Sequence, residues 1–352
     1  MFKTQIYLVL AILSLSMLLS ACAPAASPQP TATTAPQPTA PLEPTGIEVI
    51  KLKVSTLPFV SYAPFFIAQE EGLFAEQGLE VEFVKIDKTS EAMAGLAQGQ
   101  IDVAAGFFDV STLNAIAKGG QIKYVSDKGY LDTNGCDAST FVARKDLLES
   151  GKLDDLKNLA GMKIALTPTS TAEYALDVLL KGVGLSSKDV EVLDIPLPAR
   201  LEGMGSGSVD IAATSDPWTI RMVNAGSGVV WNPWQKLMPN LQFSIIMYGP
   251  NLLEKNRDAG VRFLIAYLKA VKQYHEGKTD RNVEIIAKYT QLKVEEVKQS
   301  CWMSMRADGS VNLDGMDDFQ QWALDKGYLV SIVPEDQLLD LGFLEAANQA
   351  LK

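Results

Sequence analysis

Residues 99–105 read GQIDVAA, and the same pattern returns at residues 207–213 as GSVDIAA. In both copies a glycine and a polar residue precede an aliphatic residue, an aspartate, a second aliphatic residue and two alanines. The glycine is typical of a helix end, and the aliphatic and small residues are typical of a buried strand close to another backbone. The repeat therefore predicts two copies of one helix-to-strand connection.

Matching elements precede both copies of the repeat. Apolar alternation and helical periodicity predict strand, helix, strand, helix and strand in the same order around each copy. The predicted strands are 51–56, 79–84 and 101–105 in the first copy, and 162–166, 189–193 and 209–213 in the second. Strands that alternate with helices form mainly parallel sheets with right-handed crossovers, so the sequence predicts an α/β fold with two similar lobes.

Two further strand-like segments, 140–144 and 242–248, lie on either side of the second copy, and the chain after them is predicted to be mostly helical. In the simplest topology the chain leaves lobe I, builds lobe II and returns. We therefore expect lobe I to comprise residues 47–140 and 245–352, and lobe II to comprise residues 141–244. Two crossings between the lobes would form a hinge, with a cleft between the lobes.

Composition excludes several classes of function. The 352 residues carry a formal net charge of −11, which argues against a nucleic-acid partner because phosphate binding needs a basic face. His275 is the only histidine, so neither a histidine metal site nor a Ser-His-Asp triad is expected. We find no phosphate loop, dinucleotide motif, zinc-type cysteine pair or nucleophile elbow. The sequence thus predicts a protein that is not an enzyme and needs no metal or cofactor.

The N-terminus predicts export. Residues 1–21 have the form of a signal peptide, in which Lys3 precedes an apolar run that is too short for a good membrane span. Cys22 follows Leu-Ser-Ala, which resembles the bacterial lipobox and implies that this cysteine is acylated; an ordinary signal peptide with an incidental cysteine is the alternative. Residues 22–46 are rich in Pro, Thr and Ala, and predict an extended tether that does not fold.

The chain has three cysteines, which are too few for a disulfide scaffold. If Cys22 carries a lipid, Cys136 and Cys301 are the remaining thiols. An oxidising envelope would permit them to pair, but the sequence leaves open whether they do.

Candidate ligand-binding residues follow from the predicted strands. In open α/β sheets, ligands bind beyond the carboxyl ends of the strands, which selects the loops 56–66, 106–109, 167–171 and 214–218. From these loops we take as ligand-binding candidates Thr56, Tyr62, Phe65, Phe107, Asp109, Thr169, Ser170, Thr171, Asp216 and Trp218.

Several candidates have structural alternatives. Phe65 is equally suited to a helix face in the core, and only one of Phe107 and Phe108 is expected to face the cleft. Asp109 and Asp216 each precede a helical segment and are suited to N-caps, although a cap can also border a cleft. None of the four loops contains lysine or arginine. Aromatic rings with carboxylates suit a flat neutral or cationic heterocycle better than an anion.

Residues 62–74, YAPFFIAQEEGLF, with 78–82, GLEVE, resemble the periplasmic solute-binding proteins of the NMT1/THI5 and sulfonate-binding group, which serve ABC importers. The resemblance continues through residues 99–104, 159–164 and 216–218 and covers nearly all of 47–330. It implies a type II periplasmic binding protein, with two lobes that close on a small-molecule ligand. It also implies a monomer, anchored by lipid to the cell membrane and facing the periplasm or cell exterior, whose partners are a permease and an ATPase.

The resemblance narrows the ligand, because the related family includes proteins that bind riboflavin or the thiamine pyrimidine precursor. A polar loop with Asp127, Tyr130, Asp132 and Asn134 could hold a ribityl chain, so riboflavin is the first expectation and the pyrimidine precursor the second. Two alternatives remain. One is an alkanesulfonate or taurine held at the helix start of Ser170 and Thr171, and the other is a pyrimidine-synthesis enzyme on the same fold.

Overall fold

The computed structural model describes residues 49–86 and 89–352, which belong to one compact unit, Ile47–Lys352. The predicted signal peptide, the lipidation site Cys22 and the tether at 22–46 lie outside the described residues. Within the described part of the chain, no helix combines the length and the apolar character needed to cross a bilayer.

Two five-stranded sheets form the framework. In chain order the strands are β1 (Ile50–Thr56), β2 (Leu79–Lys85), β3 (Val103–Phe107), β4 (Lys123–Tyr130), β5 (Ser139–Arg144), β6 (Lys163–Ala165), β7 (Glu191–Leu193), β8 (Ile211–Ser215), β9 (Gly228–Pro233) and β10 (Gln242–Tyr248). The first sheet has the order β2-β1-β3-β10-β4, and the second has the order β7-β6-β8-β5-β9. In each sheet four strands run in the same direction, and one strand, β10 or β5, is antiparallel to them. The predicted α/β fold with two similar lobes is confirmed.

Helices cover both sheets. They are α1 (Ala63–Glu70), α2 (Leu73–Glu76), α3 (Thr89–Ala97), α4 (Val110–Ala117), α5 (Lys145–Glu149), α6 (Thr171–Lys181), α7 (Leu197–Ser206), α8 (Trp218–Asn224), α9 (Trp234–Leu237), α10 (Arg257–Tyr274), α11 (Asp280–Thr290), α12 (Val294–Gln299), α13 (Met316–Asp325), α14 (Glu335–Leu338) and α15 (Gly342–Ala350). We call the first sheet with its helices lobe I, and the second sheet with its helices lobe II. Lobe I buries Leu52 and Val54 of β1 against α1 and α10, and lobe II buries Ile164 of β6 with Leu176 of α6.

The repeated aspartate has the same role in both lobes. Asp102 accepts a hydrogen bond from the backbone N–H of Lys53 at 2.7 Å, and Asp210 accepts one from Lys163 at 2.9 Å. The preceding glycines, Gly99 and Gly207, have positive φ angles of 69° and 79°, which a residue with a Cβ rarely adopts. Because the aspartate side chain occupies this turn, each third strand begins just after it, two residues later than the sequence predicted.

The chain crosses between the sheets twice. Residues 131–138 lead from β4 to β5, and residues 234–241 lead from β9 through α9 to β10. The two crossings are hydrogen bonded to each other, since Leu131 donates to the carbonyl of Leu241 at 3.0 Å and Asn240 donates to that of Leu131 at 2.8 Å. The boundaries expected at 140/141 and 244/245 fall inside β5 and β10. Each of these strands pairs within one sheet along its length, so both crossings lie a few residues earlier.

The structure contains the disulfide that the sequence left open. Cys136, in the first crossing, is bonded to Cys301, which follows α12. The backbone N–H of Cys301 also donates a short hydrogen bond to the carboxylate of Asp216 in lobe II. The hinge side of the molecule is therefore tied covalently and by a hydrogen bond from lobe II.

Replacing both cysteines, Cys136→Ser with Cys301→Ser, should lower the free energy of unfolding by about 2–4 kcal/mol, because the bond closes a long loop in the unfolded chain. Urea unfolding of wild type and variant measures the difference. Reduced wild type should unfold like the variant, and the variant should be indifferent to reductant. Equal midpoints for oxidised wild type and variant would contradict the expectation.

Asp216 makes the stability depend on pH. It is buried, and burial raises its pKa from an ordinary value of 3.8 to about 6, although the N–H groups of Cys301 and Ile220 oppose the rise. Between pH 4 and pH 6 the unfolded chain has released this proton while the folded protein still holds it, so the free energy of unfolding falls as pH rises.

The free energy of unfolding of Asp216→Asn, relative to that of wild type, should therefore rise by about 2–3 kcal/mol between pH 4 and pH 7. Urea unfolding of both proteins at pH 4 and at pH 7 measures this difference. Asp336→Asn, on the exposed first turn of α14, is the matched control for the loss of one carboxylate. A difference for Asp216→Asn that is the same at both pH values would rule out this role for the carboxyl group.

Candidate functional site

A cavity of about 230 Å³ lies between the two sheets, beyond the carboxyl ends of their parallel strands. Its walls come from the ends of β1, β3 and β8, the loop after β6, and the starts of α3, α4, α6, α7, α9 and β10. The lining residues are Leu57, Phe59, Thr89, Ser90, Phe107, Asp109, Ser111, Thr167, Pro168, Thr169, Ser170, Thr171, Ala172, Leu197, Arg200, Ala213, Thr214, Ser215, Trp234 and Phe243. The position is the one that the strand-end rule selects.

The cavity brings together half of the candidate residues. Those that line it are Phe107, Asp109, Thr169, Ser170 and Thr171. Phe107 and Phe108 divide as expected, since Phe108 is fully buried against Phe319 on the other side of the strand end.

The other five candidates do not line the cavity. Tyr62 and Phe65 are core residues, with the Tyr62 hydroxyl donating to the carbonyl of Ala105 and the Phe65 ring packed on Tyr267. Thr56 is buried at the end of β1.

Asp216 and Trp218 lie beside the cavity, not on its wall. Asp216 borders a small void of about 10 Å³ behind Phe59 and Phe107. Trp218 is half-buried in the first turn of α8, where its ring contacts the Arg221 guanidinium at 5.0 Å.

The lobe I wall is formed by aromatic rings and one carboxylate. Phe107 packs edge-on against Phe59, with ring centroids 5.7 Å apart, and at 4.9 Å from Phe243. Asp109 caps α4, because its carboxylate accepts from the N–H of Thr112 at 2.8 Å and from the Ser111 hydroxyl at 2.7 Å. Burial raises the pKa of Asp109, and these hydrogen bonds partly offset that effect. Asp109 therefore both caps α4 and lines the cavity.

The loop before α6 forms much of the lobe II wall. Thr169 has a positive φ of 58°, and its N–H donates to the carboxylate of Glu173 at 2.8 Å. Ser170 caps α6 by accepting from the N–H of Ala172 at 3.1 Å. This loop also reaches lobe I, since Val110 donates its N–H to the carbonyl of Thr169 at 3.3 Å. The two lobes are thus in backbone contact at one side of the cavity.

A buried cation, Arg200, stands on the lobe II wall and was missed by the sequence analysis. Its guanidinium donates to the carbonyls of Ile195 and Ala213, at 2.8 and 2.7 Å, and to the Thr167 hydroxyl at 3.0 Å. Burial lowers its pKa to about 10, so it stays charged at neutral pH. Arg200 belongs to α7, outside the strand-end loops, so the absence of lysine and arginine from those loops did not describe the whole site.

Two further aromatic residues of the cavity wall, Phe243 and Trp234, were not among the residues predicted from the sequence. Phe243 comes from β10, whose antiparallel direction brings its start to the carboxyl ends of its neighbours. Trp234 opens α9 in the second crossing and packs on Phe141 and Phe243, with centroids 5.5 and 5.7 Å away. A strand-end rule for parallel strands could not select either residue. The alternation of apolar residues in 242–248 was the only signal for Phe243.

The polar loop expected to hold a ribityl chain has a structural role. Asp127 is buried and accepts from the N–H groups of Gly129 and Arg306, at 2.9 and 2.7 Å, and from the Gln242 amide at 2.6 Å. The remaining three, Tyr130, Asp132 and Asn134, are likewise absent from the cavity wall. Across the described ranges, no group of three or more His, Cys, Asp or Glu residues could hold a metal ion.

Comparison with known sequences gives two matches of different extent. A model of the family described as "NMT1-like family" matches residues 45–290. The "Putative thiamine biosynthesis protein" of Haemophilus influenzae is 28% identical over 134 residues, which are 38% of this chain and 40% of that protein. This chain therefore matches less than half the length of that relative.

Solved structures share the fold at low identity. The ligand-binding component of an ABC-type import system from Staphylococcus aureus has a TM-score of 0.70 and 15% identity, and the match covers 84% of this chain and 98% of that one. The periplasmic aliphatic sulphonate binding protein SsuA from Escherichia coli has a TM-score of 0.68 and 17% identity, covering 82% and 92%. The desulfurization enzyme DSZB, at 0.63 and 15%, covers 86% and 99%.

These structures establish the two-lobe fold of periplasmic binding proteins, a fold that an enzyme also uses. The family match extends over more than half of the chain and agrees with the resemblance seen in the sequence. On that evidence the chain belongs to the NMT1-like family.

Proposed function

We propose that this protein is the solute-binding protein of an ABC importer, and that it captures a single-ring heteroaromatic molecule of the thiamine pyrimidine precursor class. The observation that supports this most directly is the cavity of about 230 Å³ between the lobes, walled by aromatic rings, one carboxylate and one guanidinium. In this proposal the protein is exported, monomeric and held at the membrane through Cys22, and it delivers its ligand to the importer's permease and ATPase.

The size of the cavity favours a ligand with a single ring. Pockets for drug-sized ligands measure about 300–1,000 Å³. A pyrimidine with small substituents fits this space, whereas riboflavin has three fused rings and a ribityl chain. The expected ribityl contacts at Asp127 to Asn134 also lie outside the cavity, so we prefer the second of the two sequence-based ligands.

The chemistry of the walls suits a heterocycle. Phe107, Phe243 and Trp234 offer apolar ring surface against which a flat ligand can pack. Asp109 can accept a hydrogen bond from an amino group, and Arg200 has five N–H groups of which three bonds to the protein are described. An aminopyrimidine presents both an amino donor and ring-nitrogen acceptors. The name of the Haemophilus influenzae relative, a putative thiamine biosynthesis protein, points to the same area of metabolism.

An alkanesulfonate is the second candidate, and Arg200 is the observation that favours it. A sulfonate would also need donors from the start of α6, but the Ser170 side chain already accepts from Ala172. Glu173, in the first turn of α6, and Asp109 add two carboxylates near that helix start. Their repulsion of an anion places the sulfonate second.

We propose binding without catalysis. The residues that line the cavity include no histidine, cysteine or lysine that could act as base or nucleophile. His275 is exposed and contacts the carbonyl of Met305, away from the cavity. This composition supports a binding protein over the pyrimidine-synthesis enzyme on the same fold.

Contacts across the cleft suggest how binding would favour the closed state. Glu173 of lobe II accepts from the Tyr328 hydroxyl of lobe I at 2.9 Å, while its other oxygen accepts from Thr169 in the cavity wall. Beside it, Asp177 pairs with Lys326 and accepts from the Trp322 indole, both at 2.7 Å. A ligand that contacts both walls would shift the population toward the state with these contacts.

A titration by thermal unfolding and calorimetry would test the ligand class, with 4-aminopyrimidine, riboflavin and taurine as probes. We expect 4-aminopyrimidine to raise the unfolding temperature, because only a molecule that binds the folded state stabilises it. Riboflavin and taurine should have little effect. Stabilisation by taurine alone would favour the sulfonate candidate, and stabilisation by riboflavin alone would mean that the cavity enlarges to admit it.

Tyr328→Phe should weaken 4-aminopyrimidine binding roughly threefold to tenfold without altering the cavity wall, because it removes a hydrogen bond made only when the lobes meet. Calorimetric dissociation constants give the comparison. Tyr289→Phe is the matched control, since its hydroxyl donates to Glu70 within lobe I at 2.6 Å. If both variants bind 4-aminopyrimidine like wild type, Glu173 does not link the loop before α6 to closure of the lobes.

A further inference from the structure

A buried ammonium group joins the segments that carry the aromatic wall of lobe I. Lys128 of β4 is 1% exposed, and its Nζ donates to the hydroxyls of Ser61 and Ser244 at 3.1 and 3.2 Å. The same Nζ lies 3.7 Å from the centre of the Tyr62 ring. The partners of this ammonium group are therefore two hydroxyls and one ring face.

A buried cation with such partners is costly, because hydroxyl dipoles and a ring face replace only part of its hydration. Burial lowers the pKa of Lys128 to about 7, although the charge of Asp127 opposes this shift. A methionine could fill a similar volume of the core without that cost. The presence of a lysine here therefore points to a role other than filling the core.

The two hydroxyls that Lys128 contacts belong to segments of the cavity wall. Ser61 lies two residues after Phe59, in the turn between β1 and α1, and Ser244 directly follows Phe243 near the start of β10. Phe59 and Phe243 both line the cavity. The ammonium group therefore joins the segments of two wall rings that are far apart in the chain.

A third ring is reached through Ser244. Its hydroxyl, which accepts from the ammonium group, donates to the carbonyl of Gly106 at 2.9 Å. Gly106 directly precedes Phe107, whose ring packs against those of Phe59 and Phe243. The three rings that contact one another in the wall are thus connected by one polar centre.

We propose that Lys128 is a positioning residue for ligand binding, whose ammonium group sets the arrangement of the three phenylalanine rings of the lobe I wall. The proposal rests on the proposed function only in taking this cavity as the ligand site. The arrangement depends on the charge, because a neutral amine has one N–H fewer and no longer attracts the face of the Tyr62 ring.

The titratable groups around this ammonium group differ in what they can contribute. Asp127, on the same strand, accepts from the Gln242 amide at 2.6 Å and pairs with the Arg306 guanidinium at 3.6 Å. Burial raises the pKa of Asp127 and that of Tyr62 above their ordinary values. β10 presents a serine hydroxyl, which does not titrate near neutral pH. A variant that changes Lys128 and keeps Asp127 therefore separates the two charges.

The first test compares 4-aminopyrimidine binding at about pH 6 by wild type and by Lys128→Met, which keeps the volume without the charge. The variant should bind about fivefold to tenfold more weakly, because its wall rings lose their common polar partner. The midpoint of urea unfolding should not fall, since the cost of burying the charge is also removed.

Lys123→Met is the matched control. Lys123 lies on the same strand, and its ammonium group donates to the carbonyls of Asp336 and Gln337 at 2.7 and 2.8 Å. Neither carbonyl belongs to a residue of the cavity wall, so this variant should bind 4-aminopyrimidine like wild type. Wild-type affinity in Lys128→Met, or an equal loss in both variants, would overturn the proposal.

The pH profile separates positioning from packing. The affinity of wild type for 4-aminopyrimidine, relative to that of Lys128→Met, should fall between about pH 6 and pH 8, because the ammonium group loses its proton in that range. The profile of the variant shows what Asp127 contributes. Parallel profiles for the two proteins would contradict the proposal, since a side chain that only packs has no charge to lose.

A measurement without ligand keeps the proposal testable if 4-aminopyrimidine does not bind. In wild type labelled with ¹³C-phenylalanine, the ring signals of Phe59, Phe107 and Phe243, assigned with Phe→Leu variants, should shift with a midpoint near pH 7. Lys128→Met should lack this transition, and its absence from wild type would overturn the proposal. If the rings titrate as expected but wild type does not bind the probe, the proposed function fails while Lys128 keeps its role in the wall.

Discussion

Both lobes depend on an aspartate that holds three strands at one end of a sheet. Asp102 receives the N–H of Lys53 on one oxygen and the Asn251 amide on the other, at 2.7 and 2.8 Å. Asp210 receives the N–H of Lys163 and the guanidinium of Arg144 in the same way, at 2.9 and 3.1 Å. Each aspartate also donates its own N–H to the carbonyl of the residue it holds. The first strand, the third strand and the end of the antiparallel strand are therefore aligned by one carboxylate.

This alignment determines where the cavity lies. Because the aspartates lie at the amino ends of the third strands, the carboxyl ends of the parallel strands are free to carry loops of varied chemistry. The loops after β3 and β6 meet there, with Val110 bonded to Thr169 across the cleft. The scaffold is symmetric but the two walls are not: lobe I contributes Asp109, and lobe II contributes Arg200. A site with an acceptor on one side and a cation on the other can orient a polar ring.

Glu173 links this site to the rest of the interface. It is buried, and its two oxygens accept from Thr169 of the cavity wall and from Tyr328 of the opposite lobe. A carboxylate shared in this way links the conformation of the loop before α6 to the separation of the lobes. The disulfide between Cys136 and Cys301 lies on the hinge side, so the interface combines a covalent tie with hydrogen bonds that can be broken.

The architecture could be predicted from the chain's local patterns, because strand and helix periodicity and the GxxDxAA repeat are visible in short stretches of sequence. The same patterns also determined the two loops that meet at the cavity, since the carboxyl ends of parallel strands lie together in any such sheet. The identity of the side chains on the cavity wall came from the folded chain alone. Tyr62, Phe65 and Trp218 turned to other neighbours, and Arg200 and Trp234 entered the cavity from elements that no strand-end rule selects. The reason is that orientation depends on packing between residues far apart in the chain, which a local pattern does not contain.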